Sequence, residues 1–391
     1  MKLNWKKIFS SLLVVASIVV VIWIAFSNSD LDNAWDALAN LDPIWLAALF
    51  GCWFAYVFFD SISYWFYFRG EGFRISILQT FSASLTGLYY SNITPSSAGG
   101  QPMQVNALRK AGIPVGYGTM AATIRFICNQ FAFSFLSMAF WLSNREFVQR
   151  QLGDVVWLAR LGWVINFAGV PLVILAAFQR DLIQRVANGL IGWLSRIHLI
   201  KNPEAALATT TNVLNTYHSA LRELLHKPGQ ILLQVFNSFL SAMGLIGTTW
   251  FVYKAFHLSG TPWYQIITVG FLLYVSACYT PLPGASGAQE GGFLVFFRGI
   301  FPPDLIGLAL LVWRFFTYYL FLIAGMINLI VVKIVNAIRR RREREEQNAG
   351  AQTLEEASAD QRPPDQAVEG PDGRKPQEGA KSEPGAVNRK M

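Results

Sequence analysis

Two proline- and glycine-rich stretches interrupt an otherwise strongly apolar chain, and they restrict what it can fold into more than any other feature. The first reads Thr94-Pro95-Ser96-Ser97-Ala98-Gly99-Gly100-Gln101 and precedes Arg125. The second reads Thr280-Pro281-Leu282-Pro283-Gly284-Ala285-Ser286-Gly287-Ala288-Gln289-Glu290 and precedes Arg314. Gln101 lies 24 positions before Arg125, and Glu290 lies 24 before Arg314. Proline removes a backbone donor and clashes with the preceding turn, so neither stretch crosses lipid as a regular helix. Their unpaired N–H and C=O groups must be buried in protein or line a polar cavity. Two such stretches at one offset from a buried cation point to an internal repeat, and in membrane proteins such repeats commonly meet at a transport site.

The rest of the chain sets the class. A hydrophobic fraction of 53% and a mean hydropathy of +0.35, spread over long apolar runs, indicate an all-α polytopic membrane protein and exclude an ordinary soluble fold. About eight spans are expected, at 8–26, 43–68, 77–93, 119–143, 155–178, 229–256, 263–280 and 305–335, two of them adjoining the broken segments. The run 8–26 follows Lys2, Lys6 and Lys7 as a signal peptide would, but it is longer than a signal core and has only Ala25 and Ser27 as a weak cleavage pair, so it reads as an uncleaved span. Cys52, Cys128 and Cys278 form no close pair, and His198, His218, His226 and His257 show no i, i+4 spacing. Neither a disulfide framework nor a zinc site follows, and no metal or cofactor is expected.

Basic residues choose an orientation. With the segment 94–110 dipping back to the side it came from, one face receives residues 1–7, 69–76, 109–118 and 179–228 with 13 Lys and Arg, plus the tail from Lys333 with 12 more. The other face holds Arg145, Arg150, Arg160, Lys254 and Arg298. By the positive-inside rule both termini are cytoplasmic, in the inner membrane of the cell. Three crossings then separate the motifs, so the second enters from the opposite face, and the pair forms an inverted repeat whose tips meet near the midplane.

Residues 1–338 are read as one transmembrane domain. Within it, 179–228 forms two amphipathic helices on the cytoplasmic surface, the second starting at Asn202-Pro203-Glu204. Residues 339–391 make a basic juxtamembrane segment, Arg339-Arg340-Arg341-Arg342, which adjoins anionic lipid, and a tail from Glu343 too polar to offset its ordering entropy and therefore expected to be disordered.

Asp60, Arg125, Glu290 and Arg314 fall at membrane depth. Each costs about 2.5–3.5 kcal/mol at the centre of a span unless paired. Two readings are open: an ion-pair cluster that pins helices together, or a hydrated groove in which the arginines hold a phosphate while the carboxylates orient them. Arginine suits the second because its planar fork engages phosphate oxygens bidentately and never deprotonates. Helices beginning near Ala98 and Gly287 would aim backbone N–H groups at the same ligand. Asn92 and Gln101 add uncharged polar groups, whereas Pro95, Gly99, Gly100, Pro281, Pro283, Gly284 and Gly287 serve backbone geometry.

The chain resembles the bacterial and archaeal flippase-like membrane proteins that match the transmembrane region of lysylphosphatidylglycerol synthases. The resemblance rests on Asn92, Pro95, Gly99-Gly100-Gln101, Arg109, Arg125, Pro281-Leu282-Pro283-Gly284, Gly287, Glu290 and Arg314, and spans about residues 8–335. The family has an acidic residue after the first glycine pair, where this chain has Gln101. The resemblance implies movement of a lipid or lipid-linked headgroup across the cytoplasmic membrane, without synthase activity.

The expected function is therefore a lipid flippase or transporter for an anionic phospholipid, a glycolipid or a lipid-linked headgroup, not an enzyme. Its partners are membrane lipids rather than nucleic acid. Two alternatives compete, a membrane-embedded lipid-modifying enzyme and a scaffold in envelope assembly. The enzyme would have only Asp60 and Glu290 as bases at depth.

Overall fold

The computed structural model describes residues 19, 22, 23, 31–196, 203–277 and 280–360. Most of the expected first span, Cys278, and the tail beyond Asp360 lie outside the described residues. Residues 1–332 form one unit and residues 333–391 another. The described residues are helical, with no named strand.

After α1 (Leu31–Ala39), α2 spans Pro43–Gly70, opened by Pro43 at its first position and by Asp42, whose carboxylate accepts the Ile44 N–H at 2.9 Å. A reciprocal cap between Ser76 and Gln79 starts α3 (Ile77–Ile93). A 3₁₀ turn at Pro95–Ser97 ends it and leads into the short α4 (Gly100–Lys110) and the long α5 (Val115–Ser143). α6 (Arg145–Leu152), α7 (Val156–Phe178), α8 (Arg180–Arg196) and α9 (Pro203–Leu225) connect to the second half. There the order returns: α10 (Pro228–Ala255), α11 (Trp263–Ala277), a 3₁₀ turn at Pro283–Ala285, the short α12 (Ala288–Phe296) and α13 (Ile306–Arg314). A π-helical turn at Phe315–Tyr319 joins α13 to α14 (Leu320–Asp360).

The two halves share an order of elements. Each half opens with a helix of 28 residues that has proline in its first turn, and each continues through an apolar helix, a 3₁₀ break, a short helix and an arginine-bearing helix. Among the described residues, four helices are long and apolar enough to cross a membrane: Pro43–Gly70, Val115–Ser143, Pro228–Ala255 and Ile306–Arg339. At 1.5 Å per residue the first reaches about 42 Å, more than the hydrocarbon thickness. α3 and α11, at 17 and 15 residues, stop short of that thickness because the proline-rich breaks end them.

α2 and α10 lie against each other and organise two apolar clusters. Leu49, near the start of α2, belongs to a cluster with Ile266, Phe293, Phe297 and Trp313. Tyr64, Tyr67 and Phe68, near its end, belong to another with Leu108, Met120 and Leu224. Leu49 and Phe68 are about 28 Å apart along the helix. The short helix of the first motif (Leu108) and that of the second (Phe293) are thus anchored at opposite ends of α2. The two 3₁₀ turns pack against each other between these clusters.

α8 and α9 are the two helices expected in 179–228. The end of α9 is docked into protein through Leu221 and Leu224 rather than lying free, because both leucines find the apolar ends of α2, α4 and α5. α14 continues past Glu343 to Asp360, where composition alone leads one to expect irregular chain. Arg341 and Arg342 precede Glu345 and Glu346 by four residues, and alanines follow, which favours helix locally.

Candidate functional site

The second motif is built around one buried ion pair. Arg314 donates from Nε to Glu290 Oε1 at 2.8 Å, and its Nη2 lies 2.6 Å from the same oxygen. Nη2 also donates to the Gly284 carbonyl at 3.1 Å, so the guanidinium holds the turn as well as the acid. Glu290 turns its other oxygen to the Gly287 N–H at 2.6 Å. Both side chains are 3% exposed. The guanidinium carbon sits 4.8 Å from the Tyr318 ring centroid, a cation–π contact. Gly284 is required here twice over: φ is +60°, and a Cβ would run into the Tyr318 ring.

The first motif uses different chemistry. Thr94 Oγ1 donates to the Tyr90 carbonyl at 2.6 Å and accepts the Gly99 N–H at 2.9 Å, closing the turn without a charge. Gly100 lies so close to α3 that a Cβ would strike the Ser91 side chain. Arg125 finds its acid on α2 instead: Nε donates to Asp60 Oδ1 at 3.0 Å. Its Nη1 donates to Ser238 Oγ on α10 at 2.5 Å and to Asn129 Oδ1 at 3.4 Å. Arg125 therefore ties three long helices together. The four ionisable groups pair two by two, as mutual neutralisation requires.

The two motifs match in a register one residue away from the sequence equivalence. Gly99 caps α4 and Gly287 caps α12, so Gln101 and Gln289 both occupy the second helical position, and Glu290 corresponds to Pro102. Gln101 is exposed and stands apart from Arg125; Gln104, one turn on, is buried and accepts from Tyr64 Oη at 3.2 Å. The expected pairing of Gln101 with Glu290 as counterparts is thereby corrected: the glycine cap, not the distance to the arginine, sets the register.

Between the motifs lies a cavity of about 410 Å³. It is lined by Ser91, Asn92, Ser96 and Ser97 from the first motif and by Thr280, Gly284, Ala285 and Gln289 from the second, with Asn129, Arg314 and Thr317 from the arginine-bearing helices. Tyr56, Phe126, Tyr274 and Trp313 contribute aromatic rings. Of the expected site residues, Asn92 and Arg314 line this space; Glu290 stands directly behind Arg314, whereas Asp60 and Arg125 form their own buried pair and do not line it. Pro95, Gly99, Gly100, Pro283 and Gly287 shape the two turns. Arg314 Nη1 has no hydrogen-bond partner among the described residues. Gln289, not singled out from the sequence, is 7% exposed, lines the cavity, and likewise has no hydrogen-bond partner among the described residues. Its signal was the position directly after a glycine-capped helix start.

A second ionisable group lies away from the cavity, where α2, α9 and α10 meet. Lys227 Nζ donates to Glu71 Oε1 and to Glu223 Oε1, each at 2.9 Å, and to the Gly70 carbonyl at 3.3 Å. Burial pushes the Glu71 carboxyl up, while the hydrogen bond from Lys227 holds Glu223 down.

The family described as "Lysylphosphatidylglycerol synthase TM region" matches residues 8–325. A UPF0104 membrane protein from Archaeoglobus fulgidus is 22% identical over 269 residues, covering 66% of this chain and 77% of that protein. No solved structure matches. With most of its length matched, the chain is a multi-pass membrane protein belonging to the lysylphosphatidylglycerol synthase transmembrane-region family.

Proposed function

We propose that this chain moves a lipid headgroup across the inner, cytoplasmic membrane, with both termini on the cytoplasmic side and without making or breaking a covalent bond. The observation that carries this reading is the cavity lined by two proline-rich turns whose short helices are anchored at opposite ends of α2. Irregular backbone at such depth is tolerated where it lines a cavity, and paired breaks related by inverted topology are how transporters build a central site.

A space of about 410 Å³ is of ligand-pocket size and suits a headgroup, leaving acyl chains in the surrounding lipid. The turns are hinges by composition: Gly284 and Gly287 hold positive φ, as do Ser96, Ser97 and Ala285. Small changes at these positions would open the cavity to one end of α2 or the other. Arg314, through Glu290 and the Gly284 carbonyl, links the second turn to α12 and α13 so that they move as a body.

The test is reconstitution of the purified full chain into vesicles with fluorescent lipids labelled on an acyl chain and bleached by membrane-impermeant dithionite. The proposal expects lipid from the inner leaflet to become bleachable faster than in protein-free vesicles, with no change in lipid mass. A lipid of new mass would instead favour a lipid-modifying enzyme, and an unchanged rate would remove transport from the account.

A further inference from the structure

We propose that the cavity selects an uncharged, hydroxyl-rich headgroup, of the sugar or polyol class, rather than a phosphate held by paired arginines. This rests on the headgroup-transport reading of the same site and narrows it.

A phosphate clamp needs paired cations and open helix N-termini, and among the described residues both are reduced. Among the described residues Arg314 is the one cation that lines the space, and two of its three nitrogens are engaged by Glu290 and the Gly284 carbonyl. Arg125 is spent on Asp60, Ser238 and Asn129. The N–H of the glycine that caps each short helix is already taken, Gly287 by Glu290 and Gly99 by the Thr94 hydroxyl. An entering phosphate would meet the Glu290 carboxylate directly behind its one cation, and repulsion would offset much of the attraction.

What the cavity does offer suits hydroxyl groups. The Gln289 amide, more than nine-tenths buried and unpartnered among the described residues, presents both a donor and an acceptor. Arg314 Nη1 adds one directional donor. Asn92 uses its Nδ2 on the Leu88 carbonyl, leaving its oxygen as an acceptor. The rings of Tyr56, Tyr274 and Trp313 line the same space and supply the apolar surface that the C–H faces of a sugar require. A ligand that covers this amide without completing its hydrogen bonds would strand it, so one that completes them is preferred.

The experiment uses the full chain in phosphatidylcholine nanodiscs doped with either monohexosyl diacylglycerol or phosphatidylglycerol, with retained lipid read by native mass spectrometry. Wild type should retain the hexosyl lipid about tenfold over phosphatidylglycerol, the scale of one satisfied buried hydrogen bond. Gln289→Leu should abolish that preference, and Gln289→Asn, which keeps the amide, should preserve part of it. Thermal unfolding confirms that the variants are folded. Equal or stronger retention of phosphatidylglycerol would overturn the headgroup class while leaving lipid transport standing. Retention of neither lipid would overturn both.

Discussion

Replacing Arg314 with lysine keeps the charge but removes the geometry, and the contacts say how much that matters. Wild-type arginine serves Glu290 from Nε and Nη2, the Gly284 carbonyl from Nη2, and the Tyr318 ring at 4.8 Å. A lysine ammonium can still meet Glu290, but one point charge does not reproduce the planar fork. Losing the donor to a buried carbonyl costs about 1–3 kcal/mol. Losing the guanidinium over the tyrosine face adds about 0.5–1 kcal/mol. The expected total is about 2–4 kcal/mol, a fall of roughly 3–6 °C in melting temperature for a chain of this size. Thermal unfolding in detergent, followed by intrinsic tryptophan fluorescence, measures it. Glu290→Gln provides the scale: it strands a buried guanidinium and should cost more, about 3–5 kcal/mol. A lysine variant that melts with wild type, or one that melts below Glu290→Gln, would refute the idea that Arg314 holds the second turn by its fork.

Other consequences follow from neighbouring contacts. Gly284→Ala should destabilise by about 1–3 kcal/mol through positive φ and crowding of Tyr318, and should slow lipid movement in vesicles more than Gly291→Ala, a site with open space around it. Asp60→Met should lower the melting temperature sharply by stranding Arg125, and adding Arg125→Met should recover most of the loss; failure of that rescue would show that Arg125 does more than pair. Glu71 holds its proton more tightly folded than unfolded, so its contribution is fullest below its ordinary value of 4.5 and declines as pH rises through the raised folded value. Glu223, held down, works the other way, supplying stability above 4.5 that is lost as pH falls through its lowered value. Glu71→Gln should therefore flatten the fall in melting temperature above pH 4.5, and parallel curves for variant and wild type would contradict it.

The broad design was legible because it rests on local rules. Clustered proline and glycine break a helix where a single one need not, so the breaks at 94–99 and 281–287 could be read directly. Neutralisation of four charges predicted two pairs, but not which. Asp60 and Arg125 are 65 residues apart in sequence and meet only because α2, α5 and α10 pack together, so their pairing is a tertiary fact. The register between motifs was misread for a similar reason. Equal spacing to an arginine equates Gln101 with Glu290, whereas the glycine caps equate Gln101 with Gln289. Gln289 escaped notice because an amide beside a carboxylate draws less attention than the charge, although it is the amide that faces the cavity and Glu290 that is consumed by its neighbours.

The central claim, that a headgroup passes through the space between the two turns, is tested most directly by filling that space. Thr317, on the π-helical turn, lines the cavity. Thr317→Trp places an indole there and removes none of the four paired side chains. In vesicles carrying equal amounts of folded protein, the account predicts that wild type exposes inner-leaflet lipid to dithionite and that Thr317→Trp falls to the protein-free rate. Movement at the wild-type rate with the cavity filled would contradict it.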